Sequence, residues 1–175
     1  GRADYVFWQH ILSSMDPKSG RCAILFPHGV LFRDSEREMR KEMIKADIIE
    51  AVIGMGSNLF YNSSMEACVV ICRSHKPKAR MGKVLFINAV DEVTRQQAQS
   101  FLTEAHIAKI ANSYKAFTSE NGFAAVASND EILANNGNLN IGTYVKRVSV
   151  KTDSVDISVA LQNWQLRSAG VRKSA

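Results

Sequence analysis

The chain has 175 residues, of which 46% are hydrophobic and 22% charged, with a formal net charge of +5. That length and balance suit one globular domain with a real core, and no apolar run reaches the ~18 residues a membrane helix needs. The mild positive charge fits a polyanionic partner without demanding one.

The opening decapeptide, GRADYVFWQH, lacks the basic-then-apolar layout of a signal peptide. Asp4 is expected to cap a first helix carrying Tyr5, Trp8, Leu12 and Met15 on one stripe, with Phe7 and Ile11 beside it. DPKSG at 16–20 ends that helix, and RCAILFP at 21–27 reads as a buried strand, apolar on both faces as parallel strands are. Ser35 and Glu38 have the spacing of a capping box. The helix they open is expected to run to about Ala46, with Met39 and Met43 inward and Arg37, Arg40, Lys41 and Lys45 in solvent. IIEAVIGM at 48–55 is a second strand, so this strand–helix–strand run predicts a right-handed unit with two parallel neighbours.

The next strand, 65–73, follows after only about nine loop residues. A parallel return needs roughly a dozen, so this strand should run antiparallel to its predecessor. A basic connection, SHKPKARMG, leads to a fourth strand at 83–89, which predicts a mostly parallel sheet ending in an antiparallel strand. Beyond residue 90 the pattern turns helical. Thr103 opens a helix with Ile107, Ile110, Tyr114 and Phe117 at helical spacing. A short apolar stretch, FAAVAS, and a helical turn near 129–134 come next, then the Asn/Gly-rich ANNGNLNIGTYV, expected to be extended or turning. Ile157, Leu161, Trp164 and Val171 lie near one stripe of a tail helix with no obvious local partner.

Chemistry is not self-evident along this chain. No nucleotide-binding glycine loop, zinc-protease helix or serine-hydrolase elbow is present. His10, His28, His75 and His106 lack metal-ligand spacing, so no metal is expected. Cys22, Cys68 and Cys72 sit in apolar runs and read as buried, reduced thiols of a cytoplasmic protein. Gly54 and Gly56 flank Met55 in a G-x-G that reads as a tight turn or, more weakly, as a phosphate cradle. Two loops remain, PHGVLF and GMGSNLFYNSS, both leaving the carboxyl ends of strands, where α/β sheets hold their ligands. The second carries Phe60 and Tyr61 side by side, which are either folded onto the core or held for a flat ligand.

Taken together, ILFPHGVLFR, IIEAVIGMGSNLFYNSSMEACVVIC and NLNIGTYV resemble the modification (M) subunit of type I restriction-modification systems, the N6-adenine DNA methyltransferases. The resemblance is continuous from about residue 4 to 145 and weaker in the tail. It implies an α/β fold, a partial Rossmann-like methyltransferase sheet of parallel strands plus one antiparallel strand, with a helical C-terminal extension. Residues 1–90 would be the second half of the methyltransferase domain, 91–150 a family-specific helical extension, and 151–175 a truncated tail helix.

The family's cofactor-binding glycine loop and its catalytic N-P-P-[FY] tetrapeptide are found nowhere in these residues. The resemblance therefore implies a piece cut at both ends, inactive alone. S-adenosylmethionine would serve the complete enzyme and is not expected to bind this chain, and no catalytic residue is assigned to it. Family departures are Gly56 and a position near Glu66, where proline is usual, Asn62 for glycine, and Gly142–Thr143 after NLNI.

An enzyme that methylates a base must extrude it from the duplex and hold it by stacking. By resemblance Phe60 would face the flipped adenine, with Asn58 and Tyr61 beside it, although Tyr61 is the better candidate for packing inward. Pro27, His28 and Gly29 would form an active-site loop, and Arg33, Arg37 and Lys41 a weak contact to the DNA backbone. Ile157, Leu161 and Trp164 would face a partner helix. The partners implied are DNA, the specificity (S) and restriction (R) subunits, the missing N-terminal half of the M subunit, and a second copy of the chain. Two rival readings stay open: a non-catalytic DNA- or subunit-binding module, and a structural remnant.

Overall fold

In the computed structural model, residues 3–61, 63–97, 99–146, 161 and 164 are described. In chain order the elements are α1 (Asp4–Ser13), β1 (Arg21–Pro27), α2 (Arg37–Lys45), β2 (Ile49–Met55), β3 (Ala67–Arg73) and β4 (Lys83–Ala89). A hairpin of β5 (Thr94–Gln96) and β6 (Gln99–Phe101) follows, then α3 (Glu104–Ala116), β7 (Ala124–Ser128), α4 (Asn129–Ala134) and α5 (Ile141–Tyr144). None of the described helices is long and apolar enough to cross a membrane.

The main sheet has the order β1-β3-β2-β4-β7. Strand β3 is antiparallel to both β1 and β2, β4 is parallel to β2, and β7 closes the far side antiparallel to β4. Strands β1 and β2 run in the same direction as expected, but they are not neighbours. The α2 crossover skips one strand position, and β3, returning through its short loop, fills the gap. The antiparallel strand is therefore interior rather than terminal, and a second one, drawn from the FAAVAS stretch, forms the edge.

Period-2 alternation puts two different sets of side chains on the two faces. One face buries Phe26, Cys68, Val70, Cys72, Val52 and Phe86 beneath α1 and α2, with Trp8 fully enclosed between Tyr5 and Phe26 at ring separations of 5.2 and 5.1 Å. The other buries Ile53, Leu85, Ile87 and Phe123, with Ile110, Tyr114 and Phe117 of α3 packed against them. Glu50, fully buried, fixes α3 from inside this layer: its carboxylate accepts from Tyr114 Oη at 2.5 Å and Arg80 at 3.2 Å, and Arg73 lies 3.4 Å away. Cys68 and Cys72 are buried as expected, Cys22 is half-buried opposite Cys72, and all three are free thiols.

Local expectations at two helix starts and on one helix face need correction. Asp4 makes no side-chain cap; its carboxylate instead accepts from Arg33 at 2.8 Å. Ser35 does not cap α2, because Asp34–Glu36 form a 3-10 turn that leads into the helix without a side-chain cap. Arg40, expected in solvent, is only 1% exposed. It donates to the carbonyls of Gly137 (3.0 Å), Val30 (3.3 Å) and Arg33 (2.8 Å), whereas Met39 is the residue left outside. Thr103 does open α3, through a capping box with His106. The Asn/Gly-rich stretch holds a short helix, α5, started by the Asn140 side chain.

Candidate active-site edge

Because β1, β2 and β4 point the same way, Pro27, Met55 and Ala89 end on one edge of the sheet. After β1, Pro27 leads into a 3-10 turn, His28–Leu31, whose Val30 and Leu31 are buried and anchor it. The roof over this edge is the 137–145 segment. Leu139 is fully buried and its N–H donates to the Leu31 carbonyl at 2.9 Å. Tyr144 stacks on Phe86 at 4.2 Å and donates to the Asn138 carbonyl at 2.6 Å.

Between turn and roof lies a cleft of 320 Å³ whose polar walls are His28, Glu66, Asn88 and Asn140. His28 Nδ1 is 3.9 Å from the Glu66 carboxylate, and His28 Nε2 is buried with no hydrogen-bond partner among the described residues. Sequence reasoning singled out His28 but missed Glu66, Asn88 and Asn140. The signal for Asn88 was its place near the carboxyl end of a strand, in register with Gly54.

Glu66 also lines a second recess, of 230 Å³, with Leu25, Pro27, Phe60, Ser63 and Met65. Here the aromatic loop is built by a tight turn: the Phe60 carbonyl accepts from Ser63 N–H at 3.1 Å. Asn58 takes the left-handed conformation (φ 58°), and its carbonyl accepts from Ser100 N–H at 2.9 Å. Tyr61, at the tip of the turn, is 89% exposed, while Phe60 is half-buried in the recess. The expectation that Tyr61 packs inward is thus reversed. Bridging Phe60 to Ser63 seats Phe60 by the end of β1 and leaves its neighbour in solvent.

Gly54 and Gly56 form no open cradle. A Cβ on Gly54 would meet Ile141 Cδ1 at 2.8 Å, and one on Gly56 would meet the Val90 carbonyl at 2.6 Å and Val93 Cγ1 at 2.7 Å. The space a ligand would need at this G-x-G is filled by the protein itself, and the glycines serve close packing.

The basic residues are already engaged. Arg33 pairs with Asp4 (2.8 Å) and Glu36 (3.2 Å), Arg37 with Asp34 (2.5 Å), and Lys41 with Glu38 (3.2 Å). A phosphate at any of them must compete with a carboxylate. Leu161 and Trp164 are exposed, at 51% and 68%, whereas Ile157 and Val171 of the expected tail stripe lie outside the described residues. Among the described residues no cluster of metal-ligating side chains forms.

The geometry defines an α/β domain with its open polar cleft and its aromatic recess side by side at the carboxyl edge of a mixed sheet. Comparison with known proteins agrees. The N-6 DNA Methylase family matches residues 1–153, and the chain belongs to that family. It is 35% identical to the type I restriction enzyme MjaVIII methylase subunit of Methanocaldococcus jannaschii over 155 residues, 86% of this chain and 26% of that one. It is 30% identical to the HindI methylase subunit of Haemophilus influenzae over 177 residues, 93% of this chain and 38% of that one. Among solved structures, the type I restriction-modification methyltransferase subunit of Streptococcus thermophilus is similar with a TM-score of 0.78 and 38% identity, over 83% of this chain and 31% of that chain. The EcoKI M protein shares the fold, with a TM-score of 0.65 at 12% identity over 96% of this chain and 43% of that chain. The chain spans between about a quarter and two-fifths of the length of these relatives.

Proposed function

We propose that this chain supplies the target-base side of a DNA adenine-N6 methyltransferase, with Phe60 offering its ring face to an adenine extruded from the duplex. The observation that carries this reading is the seating of Phe60. It is half-buried in a recess by Pro27, at the carboxyl end of the sheet's outermost strand, while Tyr61 stands free beside it. An extruded base needs a flat apolar face to replace its lost stacking, in a site that water does not fill. Asn58 sets the loop by its left-handed backbone and the bond to Ser100, and the Pro27–His28–Gly29 turn forms the adjoining wall.

S-adenosylmethionine does not fit the described residues. A dinucleotide or nucleoside cofactor of this size needs an open glycine turn at a strand end. The one glycine pair so placed is packed against Ile141, Val90 and Val93. Cofactor binding and methyl transfer therefore belong to polypeptide of the kind the relatives carry beyond this stretch, and the chain alone is inactive. The outer edge of β1, which pairs only with β3, is where such polypeptide adds to the sheet; in its absence a second copy covers that edge. Specificity and restriction subunits complete the assembly, and the exposed Leu161 and Trp164 mark the surface that meets one of them.

Two measurements test this. Titration calorimetry of the isolated chain should detect no S-adenosylmethionine binding; a micromolar constant would contradict the assignment. A hybrid in which this chain replaces the matching stretch of the Streptococcus thermophilus subunit should methylate adenine in DNA. A folded, cofactor-binding hybrid without methylation would sink the proposal.

A further inference from the structure

The β5–β6 hairpin is bound to the aromatic loop and carries a set of polar groups that the fold does not use. Its register pairs Thr94 with Phe101, Arg95 with Ser100, and Gln96 with Gln99. Alternation therefore gives it two different faces. Ser100 is buried, and its N–H holds the Asn58 carbonyl two residues before Phe60. The opposite face presents Gln96, Gln99 and Phe101, and with Gln97 these line a broad recess of 770 Å³, whereas Arg95, paired with Ser100, lies on the Ser100 side of the ribbon. Gln97 sits at the tip with φ 48°, a left-handed turn residue. Arg95 and all three glutamines are exposed, and none of the four side chains has a hydrogen-bond or ion-pair partner among the described residues. The hairpin bears no carboxylate.

We infer that this hairpin is a DNA-contacting ribbon: its glutamine face holds the duplex that flanks the extruded adenine, and Arg95, exposed on the other face, reaches a phosphate at the ribbon's margin. A two-stranded ribbon fits the major groove, and a glutamine amide offers the paired donor and acceptor that match the major-groove edge of adenine. Arginine adds a phosphate contact. A protein partner suits the surface less well, because protein interfaces centre on apolar side chains and the sole large one on this ribbon is Phe101. The inference rests on the Phe60 reading for its location, since the Ser100–Asn58 bond is what fixes the hairpin beside the aromatic recess.

The test is fluorescence anisotropy of this chain, at low salt, with two labelled duplexes. One is fully paired; the other carries one adenine opposite an abasic position, so that extrusion costs little. The triple variant Gln96→Ala/Gln97→Ala/Gln99→Ala should weaken binding to both duplexes by roughly tenfold or more, the size of one lost amide–base pair. Melting temperature should be unchanged, because all three side chains are exposed. Arg95→Ala should lower the slope of log K against log salt by about one, whereas the glutamine variant should leave that slope alone. Phe60→Ala should instead remove the preference for the extrudable adenine and leave binding to the paired duplex as it was. If only that Phe60 effect fails, the aromatic reading falls and the ribbon stands. A glutamine variant within twofold of wild type, or a wild-type chain that binds neither duplex, overturns the ribbon.

Discussion

Replacing Arg40 with alanine probes the framework under the candidate active-site edge. This guanidinium joins α2 to the Val30 turn and to the Gly137 end of the roof, all out of solvent. Two of its three carbonyl partners keep another donor after truncation: Val30 still accepts from Tyr5 Oη at 2.9 Å, and Arg33 from Glu36 N–H at 3.4 Å. The Gly137 carbonyl keeps none among the described residues. Leaving it buried and unpaired costs about 1–3 kcal/mol. Removing two buried methylenes of the arginine stem adds about 1.6 kcal/mol. The expected loss is therefore about 3–4 kcal/mol, and Arg40→Met, which keeps the stem volume, should lose about half of it. Urea unfolding followed by far-ultraviolet circular dichroism measures both. Hydrogen exchange at the Leu139 amide, which donates to Leu31 across the same junction, should speed up alongside. If Arg40→Ala unfolds within about 0.5 kcal/mol of wild type, the side chain is not the tie described and the roof is held by other means.

The remaining predictions concern alkali, packing and association. Burial pushes the Tyr5 phenol from 10.0 up to about 12 and the Cys68 thiol from 9.0 up to about 12. Below about pH 7 both groups are protonated folded or unfolded and contribute no pH dependence. As pH rises toward 12 ionisation is mainly of the unfolded chain, so stability is lost, by on the order of 2 kcal/mol for Tyr5 alone. Tyr5→Phe should remove that part of the alkaline loss in melts at pH 8 to 12, and an unchanged profile would contradict it. Gly56→Ala, whose Cβ would strike the Val90 backbone carbonyl at 2.6 Å, should cost about 1–3 kcal/mol. Gly54→Ala meets only the flexible end of Ile141 and should cost less; melts in the reverse order would refute this packing. Trp164→Asp should abolish association with a specificity subunit or a second copy without moving the melting temperature, and unaltered association would assign the residue no contact role.

Element type was readable wherever periodicity was strong. The strands at 21–27, 48–55, 65–73 and 83–89 and the Thr103 helix stand close to where their patterns put them. Strand order was less accessible. Spacing shows that β3 must turn back on β2, but which side of β2 it takes depends on whether the α2 crossover left a gap, a tertiary fact. Arg40 was misread for a related reason. A guanidinium is buried only when carbonyls converge on it, and those of Val30 and Gly137 come from distant parts of the chain. At the candidate site the carboxyl-edge rule found both loops, yet the sense of the Phe60–Tyr61 pair was decided by a turn bond to Ser63 that no residue pattern announces. Glu66, Asn88 and Asn140 were passed over because lone polar residues beside a strand or at a helix cap have no spacing that links them, and only the roof folding over the edge brings them together.

The central claim is tested most directly by the methylation rate of the hybrid enzyme carrying Phe60 variants. Stacking of one base on an aromatic ring is worth about 1–3 kcal/mol by alanine substitution. Phe60→Ala should therefore slow methylation about tenfold to a hundredfold with the fold intact. Phe60→Tyr and Phe60→Trp, which keep a flat face, should retain most of the rate, and Tyr61→Ala should leave it unchanged. Were Phe60 instead a core residue, alanine would lower stability by about 3–5 kcal/mol. An unfolded Phe60→Ala protein, or a stable one that methylates at the full rate, would contradict the account.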